Sequence, residues 1–503
     1  MSEDELADTV ALIGTARGIY ARDKRALAVL DALERRLTDP LRLAIAGIVK
    51  AGKSTLLNAI LGEQIAPTDA GECTKTVTWY RYSQTPSITV HLHDGPARRL
   101  PVRRERGMLA IDLGELSADD VEHIDISWPA PALKSLILID TPGIASISQN
   151  ISARSLDFLT PNDAPSEADA IVYLLRHLHP SDLGFLEAFR DTAAGASQTV
   201  NAVTVLSRAD EIGSGRIDSL LSAGKVALRY ERDGELASLA LGVVPVAGLL
   251  AEGARTLRET EFMAFRELAA LDRPVRERLL VSADRFVRPA AGLRLGERER
   301  KDLLARFGLF GVRLATSLIR AGADDSTRLA TQLVQHSGLV ELEEFVQLHF
   351  QSRAATLKTR GVIDRLEHLV SERPRSGTQP IAAGIEQIRA NAHGLRELTL
   401  LSSARVTGLG LSPGETDAAV RITGGSGLDA ATRLGMPLDA TTQELRAKAL
   451  TEIDLWRSAG QSPMLNRRGA DVSRVVIRSL ETIASDLGPS RAREDLTHVA
   501  TAG

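Results

Sequence analysis

The chain has 503 residues, a formal net charge of −4, 25% charged residues and 44% hydrophobic residues, a balance that excludes a disordered polar chain and is long enough for two or three packed domains. The slightly acidic balance argues against a general nucleic-acid binder, which carries a basic excess, and Cys73, the single cysteine, allows neither an internal disulfide nor a cysteine-based metal site. The acidic start Met1-Ser2-Glu3-Asp4-Glu5 lacks the pattern of an export signal, and no run approaches the ~18 apolar residues of a membrane span, so a cytoplasmic location is expected.

Residues 1–40 read as two helices; in the second, Ala26, Leu30, Leu33 and Leu37 recur at helical spacing before Asp39-Pro40 ends it. Arg42-Leu43-Ala44-Ile45-Ala46 is a short apolar run suited to a buried strand. It leads into Gly47-Ile48-Val49-Lys50-Ala51-Gly52-Lys53-Ser54 and then a helical stretch opening at Thr55. This is the phosphate-binding loop GxxxxGK[ST] in its strand–loop–helix setting. The glycines allow backbone N–H groups to turn toward phosphate oxygens, and the helix N-terminus adds positive potential. Lys53 is expected on the β- and γ-phosphates and Ser54 on Mg²⁺. Further on, His91 and His93 alternate along Ile88–His93 and share a strand face, but a metal site needs a third ligand and none is suggested. Arg98-Arg99 and Arg103–Arg106 mark a solvated, charged hairpin.

Ser135–Ile139 is a second apolar strand, ending in Asp140-Thr141-Pro142-Gly143. There the aspartate can hold the Mg²⁺ shell and the Gly143 N–H can meet a γ-phosphate. A third strand, Ala202–Leu206, runs into Ser207-Arg208-Ala209-Asp210, which resembles the [NT]KxD motif of GTPases. A carboxylate at Asp210 can accept both N–H donors of the guanine edge, which adenine does not offer. Ser207 and Arg208 depart from the usual pair, and the Arg208 stem and guanidinium can lie over the base. Residues 353–487 carry helical stripes: Leu357, Leu366 and Leu369; Leu445, Ala449, Ile453 and Trp456; Val472, Val476, Leu480, Ile483 and Leu487. Gly488-Pro489 stops the last, and a polar, frayed tail follows. Arg405–Leu411 is a short apolar loop, either a lipid contact or a helix–helix connection.

The stretch Gly62…Pro67…Gly71…Thr74 resembles the first switch region of the dynamin superfamily, at matching distances after the P-loop lysine. Asp169–Leu175 and Ser181-Asp182-Leu183-Gly184-Phe185-Leu186 resemble the corresponding strand and following element of bacterial dynamin-like proteins. Nearly the whole chain is similar to the actinobacterial isoniazid-inducible protein C type. The resemblance implies an α/β P-loop GTPase domain with a mixed, mostly parallel sheet over 41–352. It adds an α-helical bundle built from helices 1–40 and a stalk-like 353–503. Ser337–Leu342 resembles the opening of the last GTPase-domain helix, which makes about 250–336, including Phe307-Gly308-Leu309-Phe310-Gly311, an insertion ahead of it. The resemblance also makes Thr74 the switch threonine that closes on Mg²⁺ and γ-phosphate.

The expected nucleotide contacts are Gly47, Lys50, Ala51, Gly52, Lys53, Ser54, Thr55, Thr74, Asp140, Gly143, Ser207, Arg208, Asp210 and Ala247. The expected metal set is Ser54, Thr74 and Asp140, with GTP/GDP and Mg²⁺ as cofactors. Lys50, Lys53 and Thr74 are the expected catalytic residues. Ile144 leaves no glutamine after DTPG to orient water, and Val49 is apolar. Lys50 stands where relatives place an arginine finger or a cation-binding serine, so its ammonium is either a transition-state charge donor or simply solvated. The resemblance implies membrane remodelling, self-association through paired GTPase domains or with a second dynamin-like protein, peripheral contact with the inner membrane, and no nucleic acid. Two other readings stay open: a nucleotide-gated scaffold with little turnover, and an RNA-binding assembly GTPase.

Overall fold

Leu41–Gly47 (β1) is buried at all seven positions, as a strand flanked by neighbours and covered on both faces must be. The computed structural model describes residues 2–67, 76–105, 107–143, 166–191, 199–213, 215–233, 235–289, 293–406, 408–462 and 465–488. The further strands are β2 (Thr78–Tyr82), β3 (Ser87–Leu92), β4 (Arg98–Leu100), β5 (Arg103–Glu105), β6 (Met108–Ala110), β7 (Val121–Trp128), β8 (Leu136–Asp140), β9 (Ala170–Leu175), β10 (Ala202–Ser207) and β11 (Val243–Val246). They form a nine-stranded sheet in the order β11-β10-β9-β1-β8-β2-β7-β3-β4, with β5–β6 as a separate pair. From β11 through β8 every pairing is parallel, and so is β2–β7; β2–β8, β7–β3 and β3–β4 are antiparallel. The expected mixed, mostly parallel α/β sheet is what forms. Because β1, β8, β10 and β11 run the same way, Gly47, Asp140, Ser207 and Val246 emerge at one edge, where α/β sheets take their ligands.

The helices along the first half are α1 (Ser2–Ile19), α2 (Lys24–Thr38), α3 (Lys53–Leu61), α4 (Pro180–Asp191), α5 (Ser219–Asp233) and α6 (Gly248–Arg255). The region expected as an insertion folds as α7 (Glu259–Ala270), α8 (Arg273–Leu279), α9 (Ala283–Val287), α10 (Glu297–Arg320) and α11 (Ser326–Gln335). These helices and α6 share a core that includes Leu250, Phe265, Phe286, Phe307 and Phe310, with the Phe265 and Phe307 rings edge to face, 5.0 Å apart. Residues 31–373 make one compact unit. Its last two helices are α12 (Leu339–His349) and α13 (Ala354–Glu372). The end of α2 is tied to the sheet by charge. Arg36 donates twice to Asp169 Oδ1, at 3.0 and 2.7 Å, while Asp169 Oδ2 accepts from the Arg42 N–H at 2.9 Å. The Lys358 ammonium of α13 donates to the Leu37 and Asp39 carbonyls at 2.7 and 2.9 Å. Buried charges of this kind are retained only when hydrogen-bonded on both sides.

Residues 1–30 with 374–503 make the second unit. Its helices are α1, α14 (Gln379–Asn391), α15 (His393–Val406), α16 (Pro413–Ile422), α17 (Ala430–Leu434), α18 (Thr442–Gly460) and α19 (Arg467–Asp486). Leu12 of α1 packs on Gly384 of α14 so closely that a Cβ there would meet its methyl at 2.5 Å. The predicted stripes on α18 and α19 face inward, placing Ile453, Trp456, Val476 and Leu480 in one core. Leu409 belongs to that core and is 2% exposed, so Leu409 is not presented to lipid. A buried polar knot sits beside the core: Glu397 accepts from Arg433 at 2.5 Å and from Ser479 at 2.6 Å, and Ser479 meets His393 at 2.9 Å. No helix among the described residues is long and apolar enough to cross a membrane.

Candidate nucleotide site

β1 ends at Gly47, whose φ is +146° and whose missing side chain leaves room for the Leu174 carbonyl of β9. Any Cβ there would strike that oxygen, so the sharp exit from the strand needs glycine. The loop then turns through Lys50 at φ 64° and Gly52 at φ 102°, and α3 begins with Lys53. Ala51 donates its N–H to the Ile48 carbonyl at 3.2 Å, which closes the turn; left-handed residues in such a loop are the kind of geometry that builds anion-binding concavities. The Lys53 ammonium rests on the Gly47 and Ile48 carbonyls at 3.1 and 3.3 Å. Burial lowers its pKa, partly offset by Asp140. It lies folded back over the loop it is expected to serve.

Ser54 Oγ donates to Asp140 Oδ2 at 3.3 Å. Asp140 Oδ1 is buried with no hydrogen-bond partner among the described residues. Burial lifts this carboxyl to about 6, against the opposing pull of Lys53 and Ser54. A buried carboxylate oxygen without a partner, beside a serine hydroxyl, is a hard-oxygen donor set that fits Mg²⁺. Next to it, Gly143 packs on Val49: a Cβ at 143 would sit 2.5 Å from Val49 Cγ2 and 2.9 Å from Val49 Cα. The DTPG turn therefore lies directly against the phosphate loop. Thr74, expected to complete the metal set, lies outside the described residues, as does Ile144.

The residues expected to meet the base stand at the close of β10. Ser207 is buried and its hydroxyl donates to the Leu175 carbonyl at 3.0 Å. Arg208 takes φ 52° and sends its guanidinium to the Lys50 carbonyl at 3.3 Å and to Glu211 at 2.9 Å. Asp210 follows on a short 3₁₀ turn, and burial raises its pKa. An open cavity of about 170 Å³ runs from Ala51, Gly52 and Thr55 to Ser207, Arg208 and Asp210. Phosphate loop and base-reading motif, far apart in the chain, thus share one concave wall. Val246 and Gly248 line it, whereas Ala247 is buried between them with its N–H donated to the Ser337 carbonyl at 2.8 Å.

One neighbour of Asp210 has no counterpart among the expected contacts. Gly308, where α10 breaks at φ 63° and ψ 173°, approaches Asp210, with its Cβ position 3.7 Å from Oδ2. Arg313 of the same helix donates to the Gly215 carbonyl at 2.5 Å. The Phe-Gly-Leu-Phe-Gly sequence is the available signal, since a glycine inside a helical pattern marks a break or a close approach.

The His91–His93 pair is not what the strand brings together. The His91 ring stacks on His123 of β7, and its Nε2 lies 3.1 Å from Asp125 Oδ2. His123 is not on β3, so alternation along β3 could not point to it. Arg98, Arg99 and Arg103 are exposed as expected of a charged hairpin, and Arg104 pairs with Glu63 at 2.6 Å.

A family model described as the Dynamin family matches residues 43–181. Over 483 residues the chain is 38% identical to the isoniazid-induced protein IniC of Mycobacterium tuberculosis, covering 96% of this chain and 98% of that protein. It is also 28% identical over 170 residues to the bacterial dynamin-like protein of Nostoc punctiforme, covering 32% of this chain and 24% of the other. A solved structure described as an oligomerised bacterial dynamin pair aligns with 96% of this chain and 74% of its own, at 13% identity and a TM-score of 0.36.

Proposed function

We propose that this chain, which belongs to the dynamin family and is of the isoniazid-induced protein C type, binds and hydrolyses GTP with Mg²⁺ and couples that cycle to pairing of its GTPase domains and to membrane remodelling. The observation that carries the reading is the cavity lined by Ala51, Gly52 and Thr55 at one end and by Asp210 at the other, with Ser54 bonded to Asp140 at 3.3 Å beside the same loop. In this reading Lys53 leaves the Gly47 and Ile48 carbonyls for the β- and γ-phosphates, supplying positive charge where negative charge spreads. Ser54 and Asp140, joined by Thr74, would hold Mg²⁺, which would supply positive charge against the phosphates. Gly143, tight against Val49, offers its N–H to the γ-phosphate and reports its loss. Asp210 selects guanine because a buried carboxylate facing adenine would lack its two donors.

The GTPase domain is proposed over 41–352, inside the 31–373 unit, and the stalk-like bundle over the helices of both chain ends, of which 1–30 and 374–503 make the separate unit. Exposed Lys50 is the expected charge donor in the transition state, ordered by a partner surface; the partner is a second copy or another dynamin-like protein. Membrane contact would be peripheral, from the cytoplasmic side. Turnover per molecule should rise with protein concentration, and sedimentation with anionic liposomes should increase with a non-hydrolysable GTP analogue. A rate independent of concentration would remove the pairing, and nucleotide-indifferent sedimentation would remove the coupling to membranes. The apolar Val49, with Ile144 in place of a water-orienting glutamine, favours one alternative, a nucleotide-gated scaffold, which predicts negligible single-turnover hydrolysis at high protein concentration.

A further inference from the structure

We propose that His91, His123 and Asp125 form a binding site for a borderline-soft divalent transition ion of the Zn²⁺, Co²⁺, Ni²⁺ and Cu²⁺ class, separate from the Mg²⁺ expected at the nucleotide. The sheet brings the three together by register. His91 on β3 pairs directly with His123 on β7, and the ladder shifts immediately after His91. His123 and Asp125 are two residues apart on one strand, so their side chains leave the same face. Each of the three contributes a ligand atom, and these atoms lie within 4.8 Å of one another.

The spacing suits a first coordination shell. Bonds of about 2.0–2.2 Å in a tetrahedron put neighbouring ligand atoms roughly 3.3–3.6 Å apart. Asp125 Oδ2 stands 3.1 Å from His91 Nε2 and 3.8 Å from His123 Nε2. The two imidazoles are stacked, 4.2 Å apart and 9° from parallel. The side chains are 34%, 23% and 24% exposed, which leaves the remaining coordination position to water, as three-ligand sites have it. Two imidazoles and one carboxylate select the later first-row ions over Mg²⁺ or Ca²⁺.

An outer partner of the carboxylate is also in place. Asp125 Oδ1, the oxygen turned away from the imidazoles, accepts from Arg81 Nε at 3.3 Å. Arg81 is itself held over the Trp79 ring at 4.7 Å. His123 Nδ1 lies 3.8 Å from Glu122 Oε1, too far for a hydrogen bond. A donor behind a ligating carboxylate fixes its orientation. Among the described residues no other group of three such ligands converges, and the nucleotide chemistry uses none of them. An ion here would clamp β3 to β7 where the bulge interrupts their ladder.

The test is calorimetric titration of full-length, chelator-treated protein with ZnCl₂, with Mg²⁺ and GDP present to fill the phosphate loop. One equivalent should bind with micromolar or tighter affinity, and Tm should rise with Zn²⁺ because the ion binds only the folded register. His91→Ala and His123→Ala should each lose at least about tenfold in affinity, and His93→Ala should lose none. Where an alanine variant melts early in chelator, His91→Gln and His123→Gln keep the side-chain bulk and decide the matter. The absence of saturable binding to the wild type, or equal affinity in the folded His91 and His123 variants, would overturn the site.

Discussion

Arg208 Nη2 donates to the Lys50 carbonyl across 3.3 Å, and these two are the only non-glycine residues at positive φ among the described residues, at 52° and 64°. One hydrogen bond thus joins the base-reading turn to the phosphate loop at the two points where each is strained. Left-handed backbone at a side-chain-bearing residue costs of order 1–3 kcal/mol and persists where surrounding structure holds it.

Lys50→Gly should relieve that strain and raise apo stability by about 1 kcal/mol in urea melts. The same change, like Lys50→Ala, should lower kcat by about 10²–10³ while sparing GTP affinity, by analogy with loss of one preorganised charge donor. Full activity in both variants would show that the ammonium is only solvated. Arg208→Ala should weaken GTP binding and slow turnover together, because it frees the Lys50 peptide. Arg208→Lys should recover part of both.

Asp210→Asn should lose GTP affinity by at least about 10²-fold and gain binding of xanthosine nucleotides, whose edge presents the complementary pattern. Competition with labelled GTP, GDP, ATP and xanthosine triphosphate reads this directly. Equal ATP and GTP binding in the wild type would sink the guanine assignment.

Asp140 has a folded-state pKa near 6 against an ordinary value of 3.8. A carboxyl raised on folding costs stability that is absent below about 3.8, grows across the interval and is complete above about 6. Asp140→Asn should therefore stabilise the apo protein at pH 7 by roughly 1–3 kcal/mol, with little effect at pH 3.5. It should also abolish the Mg²⁺ dependence of nucleotide binding. In the wild type, that dependence should fade as pH drops through about 6, since the protonated carboxyl offers no charge to the ion. Urea melts and Mg²⁺ titrations over pH 3.5–8 measure both.

Gly308→Ala tests the close approach of α10 to Asp210. Its Cβ would meet Asp210 Oδ2 and Leu249 at 3.7 Å, ordinary contact distances, so the cost comes from the backbone angles. At φ 63° and ψ 173° that cost is about 1–3 kcal/mol. Guanine nucleotide affinity should fall several-fold, because relaxing the break in α10 shifts the residue that borders Asp210. A Gly308→Ala protein as stable and as tight-binding as the wild type would remove Gly308 from the site.

What the sequence determined by itself was local or periodic. Gly47–Ser54 is contiguous, so its turn, its anion-binding N–H groups and its lysine follow from residue types alone. The apolar strands before DTPG and before Ser207-Arg208-Ala209-Asp210, and the stripe from Val472 to Ile483, follow from burial acting on periods of two and 3.6. Tertiary structure decided whatever depends on which strands become neighbours. Ser54 reaches Asp140 because β1 and β8 pair in parallel, and Arg208 reaches Lys50 because β10 and β1 both run beside β9. Gly308 reaches Asp210 because α10 packs back on α6. His91 finds His123 and Asp125 through a cross-strand register, which one-dimensional spacing does not carry: sheet partners are chosen by long-range packing, and a slip of one residue would turn each of these side chains to the other face.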